Sequence, residues 1–226
     1  MALSGPTKPP ARGPATHLVV LVHGYGADGL DLIGLGQHWQ SLLPTVAFAA
    51  PNAPMRVASG PGYQWFPISR MDPHEMRKGV ETAAPMLDEY LDAELARLGL
   101  PPERLALAGF SQGTMLSLHL GLRRKIKPVA IVGFSGLLPG PPPTDGVIPP
   151  ILLTHGDSDE VIPPQAMFVA ATQLGLAGAA VQWHLAPGMG HGIDPQGLAI
   201  AGQFLSLAFR GRLRNTGEIR SVYKPS

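Results

Sequence analysis

The chain has 226 residues, including 28 Gly and 25 Pro, with 45% hydrophobic residues, 15% charged residues, no Cys and a formal net charge of +1. Gly and Pro together run at nearly twice the usual share of about 12%, but no Gly-X-Y period makes a collagen, and the hydrophobic content at near-zero net charge excludes wholesale disorder. Balanced charge leaves no electrostatic footprint for nucleic acid, and the lack of Cys excludes a disulfide framework, a thiol nucleophile and thiolate metal sites.

Residues 1–16 are Pro-rich, carry no apolar run of the kind a signal peptide needs, and are expected to form a flexible N-terminal arm. His17–Val22 is a continuous apolar, β-branched run, the pattern of a strand buried on both faces. It ends in His23-Gly24-Tyr25-Gly26, a turn signal. Leu30–Leu43 has loosely helical spacing, Val46–Ala50 reads as a short strand, and residues 51–73 read as a long Pro- and Gly-dense loop containing Tyr63, Trp65 and Phe66.

From Val80 the apolar positions recur at three or four, which predicts a helix to Leu98 with Pro85 near its first turn and Gly99 as the residue after its end. Leu105–Ala108 is a predicted strand, Gly113–Leu122 a small-residue helix and Val129–Phe134 a strand. Residues 139–150 form a Pro-rich loop. Ile151–Thr154 and Val181–Leu185 read as strands, and Pro164–Leu174 and Gln196–Phe209 as helices.

This alternation predicts an α/β protein: a mostly parallel twisted sheet with helices on both faces. Residues 17–209 form one domain, followed by a basic C-terminal tail, 210–226. No run approaches the ~18 apolar residues of a spanning helix, so no stable membrane insertion is expected, and a soluble, cytoplasmic protein is the expectation. In such sheets ligands bind beyond the carboxyl ends of the strands, which directs attention to positions near 23, 110, 135, 156 and 187.

Gly109-Phe110-Ser111-Gln112-Gly113 lies between a predicted strand and a predicted helix, the context that gives G-x-S-x-G its meaning. The turn is tight, so its flanking positions lack Cβ atoms and the Ser111 hydroxyl projects above the sheet edge. Gly133-Phe134-Ser135-Gly136 also follows a strand, but Leu137 occupies its second Gly position, so Ser135 reads as a turn residue or pocket wall. A serine nucleophile needs a histidine base and an acid, here downstream in the order Ser, acid, His. His191, in Gly190-His191-Gly192 after the Val181–Leu185 strand, is the candidate base. The acid belongs to the loop His155-Gly156-Asp157-Ser158-Asp159-Glu160, where the residues alone leave Asp157 and Asp159 open. No His pair has zinc-site spacing, no G-x-G-x-x-G opens a helix after the first strand and no phosphate-binding loop is present, so neither a metal nor a cofactor is expected.

Several separated segments then point one way: Leu21-Val22-His23-Gly24-Tyr25-Gly26-Ala27-Asp28, Ala50-Pro51-Asn52-Ala53-Pro54, Trp65-Phe66, Gly109–Gly113, Ser135-Gly136, His155-Gly156-Asp157-Ser158-Asp159 and Gly190-His191. Over roughly 17–209 the chain resembles the small carboxylesterase/phospholipase family of α/β-hydrolases, which includes acyl-protein thioesterases. The resemblance implies an α/β-hydrolase fold and a catalytic set of Ser111, Asp159 and His191. It also implies an oxyanion hole made by the backbone N–H groups of Tyr25 and Gln112. The Pro-rich 139–150 loop, Pro67 and the basic tail depart from the family pattern.

The chain length leaves little room for a separate cap domain, so the site is expected to be open, with Trp65, Phe66, Leu137, Leu138, Ile162 and Met189 as candidate pocket residues. Trp65 and Phe66 could equally anchor the long loop to the core. The expected activity is that of a serine carboxylesterase on a small-molecule ester with a short- to medium-chain acyl group. The alternatives are an acyl-protein thioesterase or lysophospholipase and, more remotely, a non-catalytic binding protein on the same scaffold. The tail reads as a solvated extension or as an arm on a second subunit of a homodimer.

Overall fold

Every residue of His17–Val22, the strand β2, is buried. Leu18, Val20 and Val22 point into one hydrophobic cluster and Val19 and Leu21 into another, so the strand has no polar face to alternate. This is why it reads as an unbroken apolar run. β2 is central to a seven-stranded sheet. The computed structural model describes residues 2–58, 60–70 and 72–213.

In chain order the strands are β1 (Thr7–Lys8), β2, β3 (Val46–Ala49), β4 (Met55–Arg56), β5 (Tyr63–Gln64), β6 (Leu105–Phe110), β7 (Ala130–Phe134), β8 (Ile151–Gly156) and β9 (Val181–Ala186). The helices are α1 (Gly29–Trp39), α2 (Pro73–Leu98), α3 (Gln112–Arg123), α4 (Gln165–Leu176) and α5 (Pro195–Phe209). The sheet runs β1-β3-β2-β6-β7-β8-β9, and β4 and β5 form a separate two-stranded ribbon. All neighbours in the main sheet are parallel except β1, which is antiparallel to β3. α2, α3 and α4 contribute Val80, Leu87, Leu91, Leu116 and Met167 to the core on one face, and α1 and α5 contribute Trp39, Phe204 and Leu205 on the other. Burying each such side chain stabilises the fold by about 1.5–3 kcal/mol.

Two local expectations change. Residues 2–16 are tied down: Thr7 and Lys8 pair with Ala49 and Phe48, the Ala50 N–H donates to Pro6 O at 3.0 Å, and the Asn52 N–H donates to Ser4 O at 2.9 Å. The segment covers the β3 edge, where the N–H that proline lacks is not needed.

The second change concerns α2, which starts at Pro73 rather than Val80. Asp72 caps it, accepting from the His74 and Glu75 N–H groups, and Pro73 occupies the first turn. Pro85 therefore sits in mid-helix, at an exposed position, where it removes one hydrogen bond of the helix ladder. Gly99 does end α2, with φ of 66°. Of the basic tail, residues 214–226 lie outside the described residues.

Strand order reverses direction between β2 and β6, since β2 leads out to β3 while β6 leads on to β7. That switch point brings the turn after β2 and the turn after β6 side by side at one edge of the sheet.

Candidate active site

Ser111 sits between the last residue of β6, Phe110, and the first of α3, Gln112, with φ 53° and ψ −115°. A non-glycine residue in this region costs on the order of 1–3 kcal/mol and persists only when its surroundings hold it. The Ser111 N–H donates to Phe134 O at 2.9 Å, anchoring the turn to β7. The turn is also closed by contact. A Cβ on Gly109 would lie 2.3 Å from Gly113 O, and one on Gly113 would lie 1.8 Å from Val22 O. The spacing of G-x-S-x-G is thus a packing requirement at both ends.

The loop after β9 brings His191 over Ser111. His191 Nε2 lies 3.0 Å from Ser111 Oγ, and Nδ1 lies 2.8 Å from Asp159 Oδ2. The other carboxylate oxygen, Oδ1, accepts from the N–H groups of Val161 and Ile162, each at 2.9 Å. Burial pushes the Asp159 carboxyl up. Hydrogen bonds from His191, Ile162 and Val161, with the charge of His191, outweigh that effect and hold it below the ordinary carboxylate value. A carboxylate on Nδ1 leaves Nε2 free to accept the serine proton. Asp157, the other acid left open by the sequence, faces elsewhere: its Oδ1 accepts from the Gly188 N–H at 2.7 Å and the Ser158 hydroxyl at 2.8 Å.

The turn after β2 lies against the same serine, since a Cβ on Gly24 would be 3.3 Å from Ser111 Cβ. Three bonds hold this turn. Buried His23 bonds through Nδ1 to Gly24 O at 2.7 Å, and its Nε2 accepts from the Ala53 N–H at 2.9 Å. The Trp65 indole N–H donates to His23 O at 2.9 Å. Burial, only partly offset by the Gly24 bond and the Asp28 and Asp31 charges, lowers the His23 pKa. The neutral ring suits this arrangement, because Nε2 must keep a lone pair for Ala53. Gln112 opens α3, where the first backbone N–H groups have no intrahelical acceptor. Tyr25 is 46% exposed at the rim.

The candidate pocket residues divide. Leu137 and Leu138 are half-buried and line a cavity of about 870 Å³ between the start of α2 and α4, walled also by Met76, Val169 and Leu176. Neither Ser111 nor His191 lines this cavity; Gly136, next to Leu137 in the chain, packs close to the serine, its Cβ position 3.1 Å from Ser111 O. Met189 is half-buried near the base, its side chain packing on Gly192.

Trp65, Phe66 and Ile162 are 0%, 1% and 1% exposed, with their side chains packed in the hydrophobic core rather than lining an open wall. Trp65 and Phe66 are anchors. Backbone Trp65 N–H donates to Gln112 Oε1 at 2.9 Å, and Gln112 Nε2 donates to Phe66 O at 2.8 Å. Ile162 contributes through its main chain, not its side chain.

Other residues at the site carried no sequence signal for their roles. The Phe110 ring lies 5.0 Å from the His191 ring, centroid to centroid. Ser135 is fully buried with φ 45°, and its hydroxyl donates to Gly192 O at 2.8 Å, tethering the His191 loop to the end of β7. Its place after a strand in a Ser-Gly pair was the only visible hint. Among the described residues, no group of three or more His, Asp or Glu is placed to hold a metal ion, and no helix is long and apolar enough to cross a membrane.

A mostly parallel sheet with helices on both faces, no separate cap among the described residues and a strand–turn–helix elbow at the switch point is an α/β-hydrolase fold. The sequence profile of the phospholipase/carboxylesterase family matches residues 9–209, and the chain belongs to that family; it is a carboxylic ester hydrolase. The chain is 41% identical to esterase PE8, whose crystal structure superposes with a TM-score of 0.86, covering 94% of this chain and all of that one. It is 31% identical over 219 residues to acyl-protein thioesterase 1 of Gibberella zeae, covering 87% of this chain and 92% of the relative. A carboxylesterase from Mesorhizobium loti, at 23% identity and a TM-score of 0.72 over 84% of this chain and 88% of its own, shares the fold.

Proposed function

We propose that the chain is a serine carboxylesterase that hydrolyses short- to medium-chain carboxylic esters through an acyl-enzyme on Ser111. The observation that carries this is the relay from Ser111 Oγ to His191 Nε2 at 3.0 Å and from His191 Nδ1 to Asp159 Oδ2 at 2.8 Å. Ser111 Oγ attacks the ester carbonyl carbon as its proton passes to His191 Nε2. Asp159 holds the Nδ1–H tautomer and stabilises the imidazolium. The carbonyl oxygen becomes an oxyanion held by the Tyr25 and Gln112 N–H groups, each donor of this kind contributing about 3–4 kcal/mol to the barrier reduction. The C–O bond to the alcohol breaks, and the leaving oxygen takes the proton from His191. Water then attacks the acyl-enzyme carbonyl, gives one proton to His191 and releases the acid as Ser111 is reprotonated.

The 41% identity to an esterase supports an ester substrate, and the short chain length of the protein, with little room for a cap, supports a modest acyl group. Aryl esters from acetyl to palmitoyl test it: rates are expected to peak at short to medium chains and to vanish in Ser111→Ala. A tenfold preference for palmitoyl over butyryl refutes the chain-length reading.

One observation favours a second reading. The apolar cavity starting at Leu137 has room for a longer chain, and the Gibberella zeae relative is named an acyl-protein thioesterase. A palmitoyl-thioester peptide, compared with lysophospholipid and aryl esters, separates these substrates.

A further inference from the structure

Asp159 faces two histidines. Besides His191, its Oδ2 lies 3.2 Å from His155 Nε2, and the same nitrogen lies 2.8 Å from Ile162 O. A carbonyl oxygen can only accept, so the hydrogen of His155 is on Nε2. Nδ1 of the same ring is buried and has no hydrogen-bond partner. One N–H therefore reaches two acceptors, the Ile162 carbonyl and the carboxylate oxygen that faces His191.

The connectivity is a closed circuit. The Ile162 N–H donates to Asp159 Oδ1, and Ile162 O accepts from His155, which also approaches Asp159 Oδ2. Residues 155–162 are thereby locked onto both oxygens of one carboxylate. Both side chains are sealed from water, at 1% and 0% exposure. Tethering Ile162 O alone would not require the donor to lie at the oxygen on which His191 depends. Leaving Nδ1 unpaired is a cost that an apolar residue here would avoid. A donor at this place restrains the oxygen to which His191 is bonded.

We propose that His155 is a positioning residue for the reaction: its Nε2–H sets the orientation of the Asp159 carboxylate toward His191. The proposal rests on the Ser111–His191–Asp159 reading above. His155→Leu removes the donor and keeps much of the volume, whereas His155→Gln places an amide N–H at about the same reach. Each protein is titrated with a fluorophosphonate, so that kcat is expressed per reactive serine. Aryl butyrate turnover is then measured beside wild type and Ser111→Ala.

His155→Leu is expected to lose about 10- to 100-fold in kcat with KM within twofold, the range found when a residue that orients a metal-binding side chain is removed. His155→Gln is expected to recover most of that loss. A purely structural role predicts fewer reactive serines but an unchanged kcat per serine, and that result overturns the proposal. Full turnover by Ser111→Ala overturns the underlying reading, and the proposal with it. Long-range ¹H–¹⁵N spectra of wild type give a check that needs no variant to fold: the hydrogen of His155 is expected on Nε2, and finding it on Nδ1 overturns the assignment.

Discussion

The Gln112 side chain holds the main chain at Trp65 with one end of its amide and at Phe66 with the other. The Trp65 N–H donates to the Gln112 side-chain oxygen, and the Gln112 side-chain nitrogen donates onward to the carbonyl of the next residue, Phe66. The residue that follows the serine therefore carries the long loop on its side chain, while its backbone N–H stands at the start of α3. Replacing it by an apolar residue leaves the Trp65 N–H and the Phe66 carbonyl buried and unpaired, at about 1–3 kcal/mol each. Gln112→Leu is expected to lower stability by about 2–5 kcal/mol in urea unfolding. A loss below about 1 kcal/mol shows that water replaces the amide and that the loop has another anchor.

Asp159→Asn tests the charge on the relay with little change of shape. The Val161 and Ile162 N–H groups still find an oxygen, but the carboxamide no longer stabilises an imidazolium and competes for the wrong tautomer. The expected fall in kcat is about 1,000- to 10,000-fold with the fold intact, judged by circular dichroism. Asp157→Asn, which alters a bond to Gly188 rather than to His191, is expected to stay within about threefold of wild type. The reverse ranking removes Asp159 from its role.

Acid should destabilise the protein well above the carboxylate range. Burial first, and then the Arg104 charge, lowers the His17 pKa to about 4. Arg104 Nη1, which can only donate, sits 3.0 Å from His17 Nε2, and the ring stacks on Phe209. Burial first, and then Arg123, likewise lowers His119 to about 4. Between about pH 6.5 and 4 the unfolded chain binds protons at these positions that the folded chain refuses. Their contribution is thus complete above the unfolded value and is lost as pH falls toward the folded one. His17 is buried and His119 partly so, and each contributes on the order of 1–2 kcal/mol. The urea midpoint is expected to drop between pH 7.5 and 5, and the drop should shrink in His17→Asn. A midpoint flat over that range contradicts both shifts.

Two glycine substitutions should act in opposite directions. In Gly113→Ala the new methyl would lie 1.8 Å from Val22 O, a clash between backbone and Cβ that only displacement of α3 from β2 can relieve. The expected cost exceeds about 4 kcal/mol, with loss of fluorophosphonate labelling. Gly34 lies in α1, exposed, with nothing within 4 Å of its Cβ position. Gly34→Ala is expected to stabilise by about 0.5–1 kcal/mol, because it restricts the unfolded chain and favours helix. Differential scanning calorimetry of the pair decides it, and equal Tm values would show that the elbow tolerates a Cβ.

Much of this architecture was legible because its signals are local. The apolar run of β2 declared burial on both faces, and Gly99 declared the end of α2. The start of α2 was equally local, in Asp72-Pro73, but the density of prolines before it masked the cap, and Pro85 drew the boundary too far along the chain. The N-terminal segment was opaque for a different reason. Two residues, Thr7 and Lys8, form its strand, and only the exposed edge of β3 makes them one.

The candidate site divides the same way. The amino-acid sequence by itself determined which serine could stand on a tight turn, because close backbone packing leaves no alternative to glycine at 109 and 113, and it showed which histidine lay on a glycine-flanked loop. It could not choose Asp159 over Asp157 from the residues alone, tell a buried anchor from a pocket wall at Trp65 and Phe66, or reveal that Ser135 and His155 support the two loops. Those outcomes depend on where chain segments far apart in sequence cross, and on which buried N–H and C=O groups they must satisfy there. Only the packed tertiary structure decides that.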